Sequence, residues 1–216
     1  MKTFFQKYKH AWVFLYGIIY FPWFHFLEKT VTHNYALIET TLDTKIPFIE
    51  FFIVPYLFWF VFMIVTVLYF FFTNRSEFYQ LIFFLIIGMT LFLIISTLWP
   101  NGQSLRPSHF ERNNIFVDLV KQLYRTDTPT NVFPSIHVYN TLGCYIAIHR
   151  SEKLKNIKWV QSITLATTTL IILSTMFLKQ HSFLDVVGAG VFAVIAYVFI
   201  YAEEYKKEPA FKRLTI

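Results

Sequence analysis

The chain has 216 residues, of which 56% are hydrophobic, 21% aromatic and only 15% charged, with 27 Phe among them. Soluble domains carry about a quarter charged residues and no long apolar runs, so an ordinary soluble domain, a disordered chain and a fibrous protein are all excluded. The 19 Lys+Arg against 13 Asp+Glu give a net charge of +6, but the bases fall between apolar runs, so they read as topology signals and no nucleic-acid partner is expected. The single cysteine, Cys144, leaves neither an intramolecular disulfide nor a thiolate cluster.

A bilayer core about 30 Å thick needs roughly 20 apolar residues per helical span. Six segments approach that length: 11–27, 47–73, 78–100, 134–149, 159–178 and 183–202. The expected fold is therefore all-α, an integral membrane bundle of six transmembrane helices forming one domain over 1–216, with short interfacial or loop helices on the outer side. Lys2, Lys7 and Lys9 precede the first run, which continues through Tyr20, Phe21, Pro22, Trp23 and Phe24 without a small-x-small cleavage site, so it reads as an uncleaved span. The Glu28–Ile46 stretch reads as interfacial. The second span contains Pro55 and is expected to start in the interface and kink. The 109–130 stretch is expected to contain a short helix around Ile115–Leu123. The fourth span carries His137, Asn140 and Thr141, which lipid would solvate poorly, so it should be buried in the bundle and line a cavity.

Six spans place both termini on one side. The N-terminus, the 74–77 and 149–158 loops and the tail from 203 hold twelve Lys/Arg, against seven in the 28–46, 101–133 and 179–182 segments. The positive-inside bias makes the first set cytoplasmic. Arg150, Lys153, Lys155 and Lys158 are explained by topology alone.

Ionisable residues in or beside spans are expensive and are default functional candidates. Arg106-Pro107 follows the third span, Pro134-Ser135-Ile136-His137 opens the fourth, and Lys179, His181 and Asp185 join the fifth to the sixth. Arg106 and His137 are separated by outer loop, and His137 and His181 by one full helical hairpin, so all three clusters land at the outer leaflet. His181 and Asp185, four apart at a helix start, share a face. A carboxylate there fixes one imidazole nitrogen and leaves the other free to attack, the wiring of a nucleophilic histidine. His137 could protonate a leaving oxygen, while Arg106, Lys179 and the Ser135 hydroxyl could hold phosphoryl oxygens. Less specific readings stand beside this one. Asp185 alone could cap the sixth helix, and His137, His181 and Asp185 could ligate a metal, against which Arg106 and Lys179 argue by repulsion. His25, Glu28 and His33 read as interfacial snorkelling residues, and His10, His109 and His149 carry no functional expectation.

The order Arg-Pro, then Pro-Ser-x-His, then Ser-x6-His-x3-Asp from Ser174 to Asp185 resembles the type 2 phosphatidic acid phosphatase (PAP2) superfamily of membrane lipid phosphatases and phosphotransferases. The likeness covers roughly 47–200, and Pro134-Ser135-Ile136-His137 is similar to a bacterial-type branch with an aliphatic residue in place of the usual glycine. The resemblance implies that His181 is the nucleophile, Asp185 its orienting partner and His137 the general acid, with phosphate held by Arg106 and Ser135. Two positions depart from the pattern: Trp99 stands where the first motif has lysine, and Thr175 follows Ser174 where the third has arginine. Lys179 is expected to supply the missing charge. The expected activity is metal-independent, cofactor-free hydrolysis of a lipid phosphate or diphosphate at the outer leaflet of the plasma membrane. The alternatives are a sphingolipid-synthase-like phosphotransferase and a non-enzymatic transporter or scaffold, although no pair of Gly/Pro-interrupted spans in matching halves points to the latter.

Overall fold

The computed structural model describes residue 6 and residues 8–207, with side chains through Tyr201. Of the bases in the topology count, Lys2, Lys7, Lys212 and Arg213 lie outside the described residues, as do the side chains of Lys206 and Lys207. The described chain forms helices α1 (Gly17–Thr30), α2 (Ile53–Thr73), α3 (Arg75–Leu98), α4 (Ile115–Thr126), α5 (Ile136–Arg150), α6 (Lys158–Phe177) and α7 (Phe183–Lys207). One 3-10 helix, Lys9–Tyr16, runs into α1, and another, Glu50–Phe52, runs into α2.

Among the described residues, four stretches are long and apolar enough to cross a membrane: Glu50–Thr73, Arg75–Leu98, Lys158–Phe177 and Phe183–Tyr201. Their exposed Phe58, Ile64, Leu165, Val194 and Phe199 side chains form an apolar outer surface, which water would not support and lipid does. The segments expected as first and fourth spans are also helical but fall outside this set of four. The first is the 3-10 turn joined to the 14-residue α1, and the fourth is the 15-residue α5. Pro55 stands third in α2, within the first turn, where a missing N–H forfeits little.

Helix α5 is the middle of the bundle, packed by α2, α3, α6 and α7. Asn140, Thr141, Gly143 and Cys144 are all buried there, the placement its polar content requires. Tyr139 stacks on Phe84 with ring centroids 4.7 Å apart and donates its hydroxyl to the Phe84 carbonyl at 2.9 Å. That approach of α5 to α3 depends on Gly88, because a Cβ there would overlap the Tyr139 ring. The N-terminal helices run alongside α3, where Tyr16 meets Thr90 at 2.9 Å and Trp23 donates to Thr97 at 3.0 Å, while His10 Nε2 meets the Phe71 carbonyl near the end of α2 at 3.0 Å.

The element order gives the bundle two ends. At one, Asn74 caps α3, and Glu77 accepts from Ser151 Oγ at 2.9 Å and Glu152 N at 3.1 Å, joining the α2–α3 turn to the α5–α6 loop. The other end collects the C-termini of α1, α3 and α6, the N-termini of α5 and α7, and the amphipathic α4, which extends the short helix expected near Ile115–Leu123. A feature absent from the expected plan lies here. Ala36–Leu37 (β1) pairs in parallel with Asn101–Gly102 (β2), so the 31–46 segment packs against the chain leaving α3. Two-residue strands have no periodicity for a sequence to display.

Candidate active site

Two connections build the site at this end, α4–α5 and α6–α7, and each is fixed by hydrogen bonds from named side chains. The turn into α5 hangs on Asn101, fully buried, whose Oδ1 accepts from Val132 N and Phe133 N, both at 2.9 Å. Ser135 then caps α5, its Oγ accepting from Val138 N at 3.3 Å. His137, in the first turn of α5, lies against Tyr56 and Trp59 of α2, with ring centroids at 4.7 and 4.4 Å.

The turn from α6 to α7 carries His181. Ser182 and Asp185 cap α7 reciprocally, Ser182 N donating to Asp185 Oδ2 at 2.8 Å and Asp185 N to Ser182 Oγ at 3.3 Å. The same Oδ2 stands 3.4 Å from His181 Nδ1. The buried carboxylate oxygen that caps α7 thus also stands within ion-pair distance of His181, whose Nδ1 has no hydrogen-bond partner among the described residues. His181 and His137 face each other with ring centroids 5.6 Å apart, and both line a small cavity of about 50 Å³ with Glu28, Asp127, Thr128, Asn131 and Gln180.

The connection from α4 to α5 is hung on Arg106. Its Nη1 donates to the carbonyls of Tyr124 (3.3 Å) and Asp127 (2.9 Å), and its Nη2 to Thr128 O (3.2 Å) and Gln180 Oε1 (2.5 Å). The guanidinium also lies 4.5 Å from the centroid of the Tyr124 ring, and Nε is buried without a partner. Burial lowers the pKa of Arg106, and the Asp127 charge opposes that shift. Burial likewise pushes the Asp127 carboxyl above its ordinary value, with Arg106 opposing. Arg106 thus reaches the His181 turn through Gln180, and most of its donors already serve protein oxygens.

Lys179 is not brought into this group. Its Nζ donates to the carbonyls of Asp43, at 2.7 Å, and Ile46, and its backbone sits in the left-handed region at φ 54°. The ammonium expected to supply a phosphate-binding charge is directed here to the 43–46 loop. A lysine has a long stem and satisfies the nearest buried carbonyls first.

Sequence reasoning also missed several residues. Glu28, read as a snorkelling residue, instead accepts from Thr128 Oγ1 at 2.6 Å and Asn131 Nδ2 at 3.1 Å at the cavity wall, whereas His25 and His33 are exposed. Asp127 accepts from Gln180 Nε2 at 3.3 Å and Tyr56 OH at 3.5 Å. Gln103, almost fully buried, donates to the Lys179 carbonyl at 2.8 Å. The one available signal was a run of polar residues beside the motifs. Among the described residues, no three His, Cys, Asp or Glu side chains gather as a metal-ligand set.

The family model of the PAP2 superfamily matches residues 101–208, half of the chain. The chain belongs to the PAP2 superfamily. No curated protein and no solved structure matches it. PAP2 membership points to a phosphatase-type hydrolase, and the apolar helices make it a membrane protein. The PAP2 match includes Arg106, Asp127, Ser135, His137, Lys179, His181 and Asp185 but stops short of Glu28, Asp43 and Tyr56, which the N-terminal half contributes to the same end of the bundle.

Proposed function

We propose that the chain is a six-span membrane enzyme that hydrolyses a lipid phosphate or diphosphate through a phosphohistidine. Its termini lie in the cytoplasm and its site faces the outside of the plasma membrane. The carrying observation is the pairing of His181 Nδ1 with Asp185 Oδ2 at 3.4 Å, beside a second imidazole in one cavity. With Nδ1 turned to the carboxylate, His181 Nε2 holds the free lone pair. Nε2 forms a bond to phosphorus as the bond from phosphorus to the lipid oxygen breaks. The electron pair stays on that oxygen, which takes a proton from His137. Water then attacks phosphorus while His137 accepts its proton, and His181 leaves as free imidazole. Arg106 Nε, the Ser135 hydroxyl and the first-turn amides of α5 are the donors for the phosphoryl oxygens, since a helix N-terminus favours anions. No metal is required in this scheme. The twelve bases on the cytoplasmic segments against seven on the outer ones support the orientation.

The test is phosphate release by purified protein from phosphatidate, phosphatidylglycerophosphate, polyprenyl diphosphate and a sphingoid phosphate, with chelator present. Activity that survives chelator and disappears in His181→Ala is the expected outcome. Activity that chelator abolishes would replace the covalent route with a metal-dependent one.

A further inference from the structure

The small polar cavity holding His137 and His181 shares part of its wall with a second, larger space. An apolar groove of about 540 Å³ runs between α1 and α2 beneath α4, walled by Tyr20, Phe24, Leu57, Phe60, Leu119 and Leu123, a size in the usual range for ligand sites. Leu57 and Phe60 are 40% and 53% exposed, so the groove is open on the face where α1 and α2 would meet lipid. Phe24, Asp127, Ile136 and His137 line both spaces, whereas His181 lines only the polar one.

We infer that this groove holds the hydrocarbon chain of the substrate, which fixes the direction of the reaction; the inference rests on the phosphatase reading above. An amphiphile filling both spaces puts its phosphorus on the His181 side and its ester oxygen at the junction, where His137 stands. The bond that breaks is then the one facing the groove. The freed alcohol, carrying the proton from His137, is already among apolar side chains and leaves sideways between α1 and α2, while the phosphoryl group stays on His181. Helix α4 is the roof over the chain, lining the groove with Leu119 and Leu123 beside Gln122 and Thr126. A second apolar groove, about 360 Å³ between α2 and α6 and including Val54 and Phe58, has none of the site residues in its wall. An apolar surface alone does not distinguish the two; continuity with His137 does.

The experiment fills each groove and compares long-chain substrates with a short-chain one. Leu57→Trp and Leu119→Trp narrow the first groove and Val54→Trp the second; all three positions are exposed enough to accept the ring. The substrates are dioleoyl phosphatidate and farnesyl diphosphate in mixed micelles, and butyl phosphate in water. For Leu57→Trp and Leu119→Trp, kcat/KM on the long-chain substrates should fall about tenfold or more while butyl phosphate turnover stays within about twofold. Val54→Trp should behave as wild type on all. Equal losses on long and short substrates, or losses only in Val54→Trp, would overturn the groove assignment. A wild type inactive on every substrate would instead sink the phosphatase reading, and the groove with it.

Discussion

Lys179 and Asp43, 136 residues apart, clasp the turn that carries His181 from both of its sides. Lys179 Nζ donates to the Asp43 carbonyl at 2.7 Å, and Phe183 N donates to Asp43 Oδ1 at 2.7 Å. His181 lies between those two anchor points in sequence. Tyr124 OH adds a bond to the Leu178 carbonyl at 2.6 Å, and Gln103 one to the Lys179 carbonyl. A left-handed lysine backbone is uncommon and persists only where its surroundings over-determine it. The segment before the candidate nucleophile is therefore rigid, which is what preorganised chemistry requires.

The clasp should be measurable as stability. Lys179→Ala strands two buried carbonyls and Asp43→Ala strands the Phe183 amide, each costing about 1–3 kcal/mol. Because both act on one turn, the double variant should lose less than the sum of the single losses. Thermal unfolding in detergent measures all three. A fully stable Lys179→Ala whose only defect is a raised KM would return Lys179 to the phosphate site.

Asp185→Asn separates the two duties of that side chain. The amide oxygen can still accept from Ser182 N, so α7 should stay capped and unfolding should shift little. An amide neither fixes the His181 tautomer nor stabilises an imidazolium, so turnover should drop roughly 10²–10⁴-fold. Asp185→Ala should lose both stability and turnover. Equal activity in Asp185→Asn and wild type would leave the carboxylate as a cap only.

Arg106→Lys tests the loop that Arg106 suspends. A single ammonium cannot serve three carbonyls and Gln180 from the positions of a guanidinium fork. Turnover should fall about 10²–10³-fold, the usual loss for a preorganised donor. Limited proteolysis should also cut faster within 124–133. Lost turnover with an unchanged digestion pattern would assign Arg106 to phosphate alone.

Asp127 gives a pH signature. Its carboxyl is raised above the ordinary 3.8 by burial, so the folded state binds the proton more tightly than the unfolded chain does. Its contribution to stability is therefore greatest below about that ordinary value and is lost as pH rises through the elevated folded value. Asp127→Asn, which keeps an acceptor for Tyr56, should raise the Tm relative to wild type at neutral pH. The gap should close as pH is lowered toward 4. A gap that widens on acidification would mean that the Arg106 charge, not burial, governs this carboxyl.

Much of the plan was legible because hydrophobic length is a one-dimensional property. The runs at 47–73, 78–100, 159–178 and 183–202 became α2, α3, α6 and α7 with ends shifted by a few residues, since lipid-crossing length and helix termination are both written locally. The polarity of 134–149 announced a helix that lipid could not surround, and α5 is buried accordingly. The β1–β2 pairing and the roles of Asn101, Gln103 and Asp43 were not legible. Each is a contact between distant segments, made by residues that look like ordinary loop.

The sequence by itself determined that two imidazoles would arrive at the same end of an apolar bundle. Counting helices between His137 and His181 fixes the end, and the four-residue step to Asp185 fixes a shared face. Tertiary structure alone decided which charges join them. Lys179 turned to carbonyls of the 43–46 loop, while Glu28 and Asp127, distant in sequence, turned inward beside Arg106. A buried charged side chain goes to whichever partners packing leaves within its reach. Those partners are set by how the turns stack in three dimensions, which spacing along the chain does not encode.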